Sequence, residues 1–125
     1  MHSASVPHES PWDGSGLEVL GTADFSGERL NRSGTYVVCY SAKWCPVTRR
    51  FMPKFSRLKG TLPATFAIAD ITDLQSPLWD SFRIRITPSI VVFRDGVILQ
   101  RVDGKRFFGI RDARLAELTA VLARR

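Results

Sequence analysis

Two hydrophobic periods alternate along the chain. Leu17-Glu18-Val19-Leu20 suits a short edge strand, and Tyr36-Val37-Val38-Cys39-Tyr40 is a continuous β-prone run of the kind a strand shows when both its faces are buried. Residues 46–59 change to helical spacing, with Phe51, Phe55 and Leu58 at i, i+4 and i+7. Pro53 falls inside that helix and should kink it rather than end it. Thr65-Phe66-Ala67-Ile68-Ala69 reads as a second central strand, and Leu74, Leu78 and Phe82 place another helix at four-residue spacing. Ile90-Val91-Val92-Phe93 and Val97-Ile98-Leu99 flank Arg94-Asp95-Gly96, a hairpin signal. A last helix over 111–124 puts Leu115, Leu118 and Leu122 on one stripe, with Asp112 near its start and Arg124 and Arg125 at its end complementing the helix dipole. Between the first two strands, residues 23–32 suit a short helix with Asp24 as its cap and Gly34 just beyond it. The order is β-α-β-α-β-α-β-β-α, which predicts an α/β fold: a central mixed β-sheet with helices on both faces.

Residues 1–16 carry no such period. They are rich in Ser, Pro, Gly and His and lack the basic and apolar regions of a secretory signal, so a flexible N-terminal tail precedes a single domain over 17–125. A chain of 125 residues suits one domain with a real core, and 44% hydrophobic against 24% charged residues exclude a disordered chain. No apolar run approaches the length of a membrane span, and no membrane association is expected. Two cysteines are too few for a disulfide-dense secreted scaffold or a four-cysteine zinc site, and they fit a cytoplasmic protein with reduced thiols. The net charge of +6 raises nucleic acid as a partner. The basic residues are instead dispersed through every element, with no run longer than two and no aromatic-interleaved motif, so nucleic-acid binding is not expected. Neither a metal nor a cofactor is expected.

The candidate chemistry lies at Trp44-Cys45-Pro46-Val47-Thr48. A cysteine that follows a buried strand and opens a helix sits where partial positive charge and unpaired N–H groups stabilise a thiolate. Lys43, Arg49 and Arg50 flank the site and should push the same way. Thr48, at i+3, can donate its hydroxyl proton to the sulfur or merely satisfy a helix turn. Pro46 suits the first turn. His2 and His8 are the only histidines and lie in the tail, which argues against a Cys-His protease arrangement.

These residues resemble the thioredoxin superfamily over roughly 17–125. Trp44-Cys45-Pro46-Val47-Thr48 matches the family's Trp-Cys-x-x-Cys except at its last cysteine, and Pro53 matches the mid-helix proline. Ile86-Thr87-Pro88-Ser89 matches the segment with a cis-proline, and Gly104 the glycine beyond the last strand that completes the substrate groove. The resemblance implies the thioredoxin fold and a nucleophile, Cys45, that attacks a substrate disulfide. Trp44, Pro46, Val47, Thr87, Pro88 and Gly104 would bind the substrate, while Trp79 is expected to serve as helix-face packing.

Three departures from the family pattern occur together. Thr48 replaces the resolving cysteine, Cys39 replaces a buried aspartate that assists it, and Ile68 replaces that aspartate's lysine partner. The general dithiol cycle is therefore not expected. Cys45 could still form mixed disulfides with protein disulfide or thiol substrates. Release would come from an external thiol such as glutathione, from the substrate's own second thiol, or from Cys39, which otherwise reads as a small core residue. The alternative is a redox-inactive protein-interaction module that keeps the groove.

Overall fold

The computed structural model describes residues 16–105 and 109–123, so the expected tail except Gly16, together with Arg124 and Arg125, lies outside the described residues. Five strands form one sheet: β1 (Glu18–Leu20), β4 (Thr35–Ser41), β5 (Thr65–Asp70), β6 (Ser89–Arg94) and β7 (Val97–Asp103), in the order β1-β5-β4-β6-β7. β1 and β4 run parallel to β5, whereas β6 runs antiparallel to β4 and β7 to β6. The sheet is mixed, as the alternation of elements predicts.

Strand β4 shows why an unbroken apolar run was the right signal for a central strand. Val37 and Cys39 enter one core with Phe66, Ile68, Ile90 and Val92; Val38 and Tyr40 enter a second with Ala67, Ala69, Val91 and Phe93. The first core is closed by α1 (Pro46–Leu58), through Phe51, Met52 and Phe55, and by α3 (Asp112–Ala123), through Leu115, Leu118 and Leu122. Lys54 of α1 and Asp112 of α3 pair at 2.8 Å, tying the two helices together. The second core is closed by α2 (Leu78–Ser81), the following Phe82 and Ile84, and a small hairpin carrying Phe25 and Leu30.

That hairpin replaces the helix expected over 23–32. A single 3-10 turn at Thr22–Asp24 is followed by β2 (Phe25–Ser26) and β3 (Arg29–Leu30), paired with Phe25 opposite Leu30. In a helix, residues five apart point roughly 140° away from each other; across the hairpin both reach the core. Gly27, at φ +60°, supplies the tight turn between the strands. Asp24 does cap, but it caps the 3-10 turn, accepting the Gly21 N–H at 2.8 Å. Gly34 serves the other hairpin, donating its N–H to Asp95 Oδ1 at 2.7 Å.

The helix expected from Leu74, Leu78 and Phe82 is also shorter than its spacing suggests. Leu78 and Phe82 are buried, but Leu74 is 71% exposed. Pro77 occupies the N-cap of α2, and the residue before a proline is disfavoured in helical conformation, so the helix begins only after it. The turn between β6 and β7 forms as Asp-Gly predicts, with Asp95 at φ +50° and Gly96 at φ +87°.

Candidate functional site at the N-terminus of α1

Cys45 is the N-cap residue of α1, with extended backbone angles (φ −93°, ψ 114°) and Pro46 as the first helical residue. A short turn holds it after β4, the Cys45 N–H donating to the Ala42 carbonyl at 3.1 Å. An N-cap side chain normally accepts from the N–H groups two and three residues on, which a thiol does poorly and a thiolate does well. Here those groups belong to Val47 and Thr48. In the thiol form the side chain makes no capping bond, and the sulfur lies 3.8 Å from the Thr87 carbonyl oxygen, to which it can donate. Burial raises the thiol pKa. The side chains of Thr87 and Thr48 and the N–H groups of Thr48 and Val47 outweigh that effect, so the thiol ionises below its ordinary range.

Thr48 is fully buried, and its hydroxyl has no hydrogen-bond partner. A buried hydroxyl without a partner costs about 1–3 kcal/mol. Ionisation of the neighbouring sulfur offers it an acceptor, which ties the orphaned donor to the lowered thiol pKa. Lys43, Arg49 and Arg50 do not figure among the groups that set this pKa. The Lys43 ammonium lies 3.6 Å from Asp70, and the Arg49 guanidinium is directed to the Lys43 carbonyl at 3.4 Å.

Beside Cys45 opens a cavity of about 280 Å³, walled by Trp44, Cys45, Val47, Trp79, Arg85, Ile86 and Thr87. Trp44 is half exposed, and its ring is fixed from two sides. Its indole N–H donates to the Thr72 carbonyl at 2.9 Å, and it stacks on Trp79 with centroids 6.2 Å apart and planes 12° from parallel. Trp79 is therefore a wall of the cavity as well as partial cover for the second core. Its signal in the sequence is a large aromatic standing off the Leu78/Phe82 stripe. Arg85 and Ile86 directly precede Thr87-Pro88 and also line the cavity, although neither is among the substrate-binding residues that the resemblance implies.

The remaining candidate residues do not line the cavity. Pro46 is exposed at the helix start, and Pro88 is buried behind Thr87, the peptide between Thr87 and Pro88 being cis. Gly104 donates its N–H to the Pro88 carbonyl at 3.0 Å, and a β-carbon there would lie 2.5 Å from that oxygen. Its role is thus to back the proline segment closely. Cys39 is fully buried in the first core, opposite Ile68 in the β4–β5 register, and burial pushes its thiol up to about 12 despite a hydrogen bond from Ser41 at 3.4 Å. Both cysteines are free.

Among the described residues no helix is long and apolar enough to cross a membrane, and no cluster of His, Cys, Asp or Glu could hold a metal ion. No curated protein sequence matches the chain significantly. Several solved structures share its fold. Spinach chloroplast thioredoxin f, long form, superposes with a TM-score of 0.67 at 15% identity, covering 98% of this chain and 99% of its own. Mitochondrial thioredoxin 3 of Saccharomyces cerevisiae, in its oxidised form, gives 0.64 at 16% identity over 83% of this chain and 93% of its own. Fasciola hepatica thioredoxin gives 0.57 at 26% identity over 74% and 84%. The Thioredoxin family itself matches residues 17–113, a stretch that runs from the start of the sheet into α3 and contains both the Cys45 turn and the Thr87-Pro88 segment. With most of the chain covered by that match, this protein belongs to the thioredoxin family.

Proposed function

We propose that the protein carries out thiol–disulfide exchange through Cys45 alone. Family membership supports thiol–disulfide redox function in general. The observation that carries the one-cysteine reading is the buried, partnerless Thr48 hydroxyl at the position where a second thiol would stand, next to a cysteine whose thiolate is favoured. The Cys45 thiolate attacks one sulfur of a substrate disulfide. A Cys45–substrate disulfide forms, the original S–S bond breaks, and the departing sulfur leaves with the electron pair and takes up a proton. Release requires a second thiolate to attack that mixed disulfide and return Cys45 as the leaving group. A thiol with no exposure and a pKa pushed up to about 12 is a poor attacker, which argues against Cys39 in this role. An external thiol, with glutathione as the first candidate, or a second thiol of the substrate fits better. A reducing compartment such as the cytoplasm would keep Cys45 available as a thiol.

The test is the pH dependence of Cys45 alkylation, followed by trapping. The expected midpoint lies below the free-cysteine value of about 8.5, and Cys45→Ser abolishes mixed disulfides with protein substrates while Cys39→Ser leaves both their formation and their release intact. A midpoint at the free-cysteine value with slow alkylation overturns the redox reading and leaves a binding module. Accumulation of mixed disulfides in Cys39→Ser alone would instead identify Cys39 as the resolving thiol.

A further inference from the structure

We propose that Arg85 selects substrates that carry a carboxylate close to the reacting sulfur. The inference rests on the Cys45 exchange reading and names its substrate class. Arg85 is exposed and forms one wall of the 280 Å³ cavity that Cys45 opens into. It makes no hydrogen bond or ion pair with any described residue. No carboxylate stands among the cavity walls, and apart from the Thr87 hydroxyl and Cys45 sulfur the other side chains there are aliphatic or aromatic.

Some cations elsewhere in the fold are held by carboxylates. Arg32 meets Glu18 and Asp24, Lys43 meets Asp70, Lys54 meets Asp112, and Arg101 meets Asp103. An unpaired guanidinium set into an otherwise apolar wall beside a nucleophile lacks only the anion. Arg presents a planar fork that matches a carboxylate in two-pronged geometry. The occupant that fits is a peptide segment with an aliphatic or aromatic side chain against Trp44 and Trp79 and an acidic group against Arg85, its sulfur facing Cys45.

Peptides with one cysteine activated as a 2-pyridyl disulfide test this. The Cys45 thiolate bonds to the peptide sulfur, the pyridyl S–S bond breaks, and pyridine-2-thiolate leaves and takes up a proton as the recorded thione. Three peptides differ only in the residues flanking cysteine, which are Glu, Gln or Lys; glutathione activated in the same way supplies the carboxylate from a small molecule. For the wild type the Glu peptide should react about 1.5- to fivefold more efficiently than the Gln peptide, the range for an exposed ion pair. The gain should lie in the half-saturating concentration rather than the maximal rate, and it should shrink as salt screens it.

Arg85→Gln should remove the preference, and Arg85→Glu should transfer it to the Lys peptide, a swap that a merely structural role would not produce. Dependence on Arg85 in either the peptide or the glutathione arm supports carboxylate recognition and identifies its source. Brisk reaction with no charge preference in either arm overturns the inference while leaving Cys45 exchange intact. Reaction no faster than that of a free cysteine peptide overturns the exchange reading itself.

Discussion

Replacing Thr48 by valine should make the protein more stable and less reactive at once. The hydroxyl is fully buried and bonds to nothing while Cys45 is a thiol, so an unsatisfied group worth about 1–3 kcal/mol is removed with almost no change of shape. At pH 6 the variant should gain about 1 kcal/mol, raising Tm by roughly 4 °C for a domain of this size. At alkaline pH the balance changes. The Cys45 pKa is lowered in the fold, so its ionisation adds stability that is fully present above the unfolded thiol's value of about 8.5 and is lost as pH falls through the folded value. In the wild type the thiolate gains the Thr48 donor, and a hydrogen bond to a charged group contributes about 1.5–3 kcal/mol. The valine variant lacks that bond, so its advantage should vanish or reverse by pH 9. The same loss makes the thiolate scarcer at neutral pH, where iodoacetamide should react about tenfold more slowly, since roughly 1.4 kcal/mol is a factor of ten. Urea unfolding at pH 6 and pH 9, with alkylation rates at pH 7, measures all three. A stability difference that does not depend on pH, or an unchanged alkylation rate, would show that the hydroxyl does not serve the sulfur.

Thr48→Cys should restore a resolving thiol and let the protein reduce a protein disulfide, such as that of insulin, with dithiothreitol supplied only to recycle it; no gain in turnover would mean that the apolar Cys39–Ile68 surroundings also limit the second step. Gly104→Ala forces a β-carbon to within 2.5 Å of the Pro88 carbonyl oxygen, so it should cost about 1–3 kcal/mol in denaturant unfolding and slow Cys45 capture of a peptide disulfide, whereas unchanged values would show that the backbone there yields freely. The Asp24 carboxyl is held below its usual range chiefly by the Gly21 N–H, against burial and with help from Arg32. Its stabilising contribution is therefore present above the unfolded value of about 3.9 and lost as pH falls through the folded value. Asp24→Asn should flatten the stability profile between pH 5 and pH 2, and an unchanged acid slope would count against this cap.

The parts of the fold that the sequence revealed are those where one physical cause dominates. β4 and β5 are buried on both faces, which their β-branched and aromatic apolar runs match, and Phe51, Phe55 and Leu58 at i, i+4 and i+7 fit a helix against the sheet and not a strand. The 23–32 segment failed because two apolar residues, Phe25 and Leu30, are too few to distinguish a helical from a hairpin period, and the deciding feature is the positive φ at Gly27. Leu74 failed because spacing alone ignores Pro77, which delays the helix until Leu78. At the site, Cys45 and Thr48 were legible because they belong to one local turn. Trp79 and Arg85 come from other segments, and only the folded sheet brings them to the same cavity.

The three departures at the site form one physical unit. Cys39 and Ile68 face each other across the β4–β5 register with neither exposed to water. A carboxylate at position 39 would need a partner or a proton-transfer task to offset its desolvation; with Ile68 opposite and Thr48 in place of a second thiol it would have neither. An apolar pair there removes the penalty, and the Cys45 pKa is lowered, against burial, by the Thr87 and Thr48 side chains and the first N–H groups of α1. Of the flanking cations, Lys43 is engaged by Asp70 and Arg49 is turned to a carbonyl. The one cation in the cavity, Arg85, is then free to act on the substrate instead of the nucleophile, which separates the group that activates the sulfur from the group that chooses what it attacks.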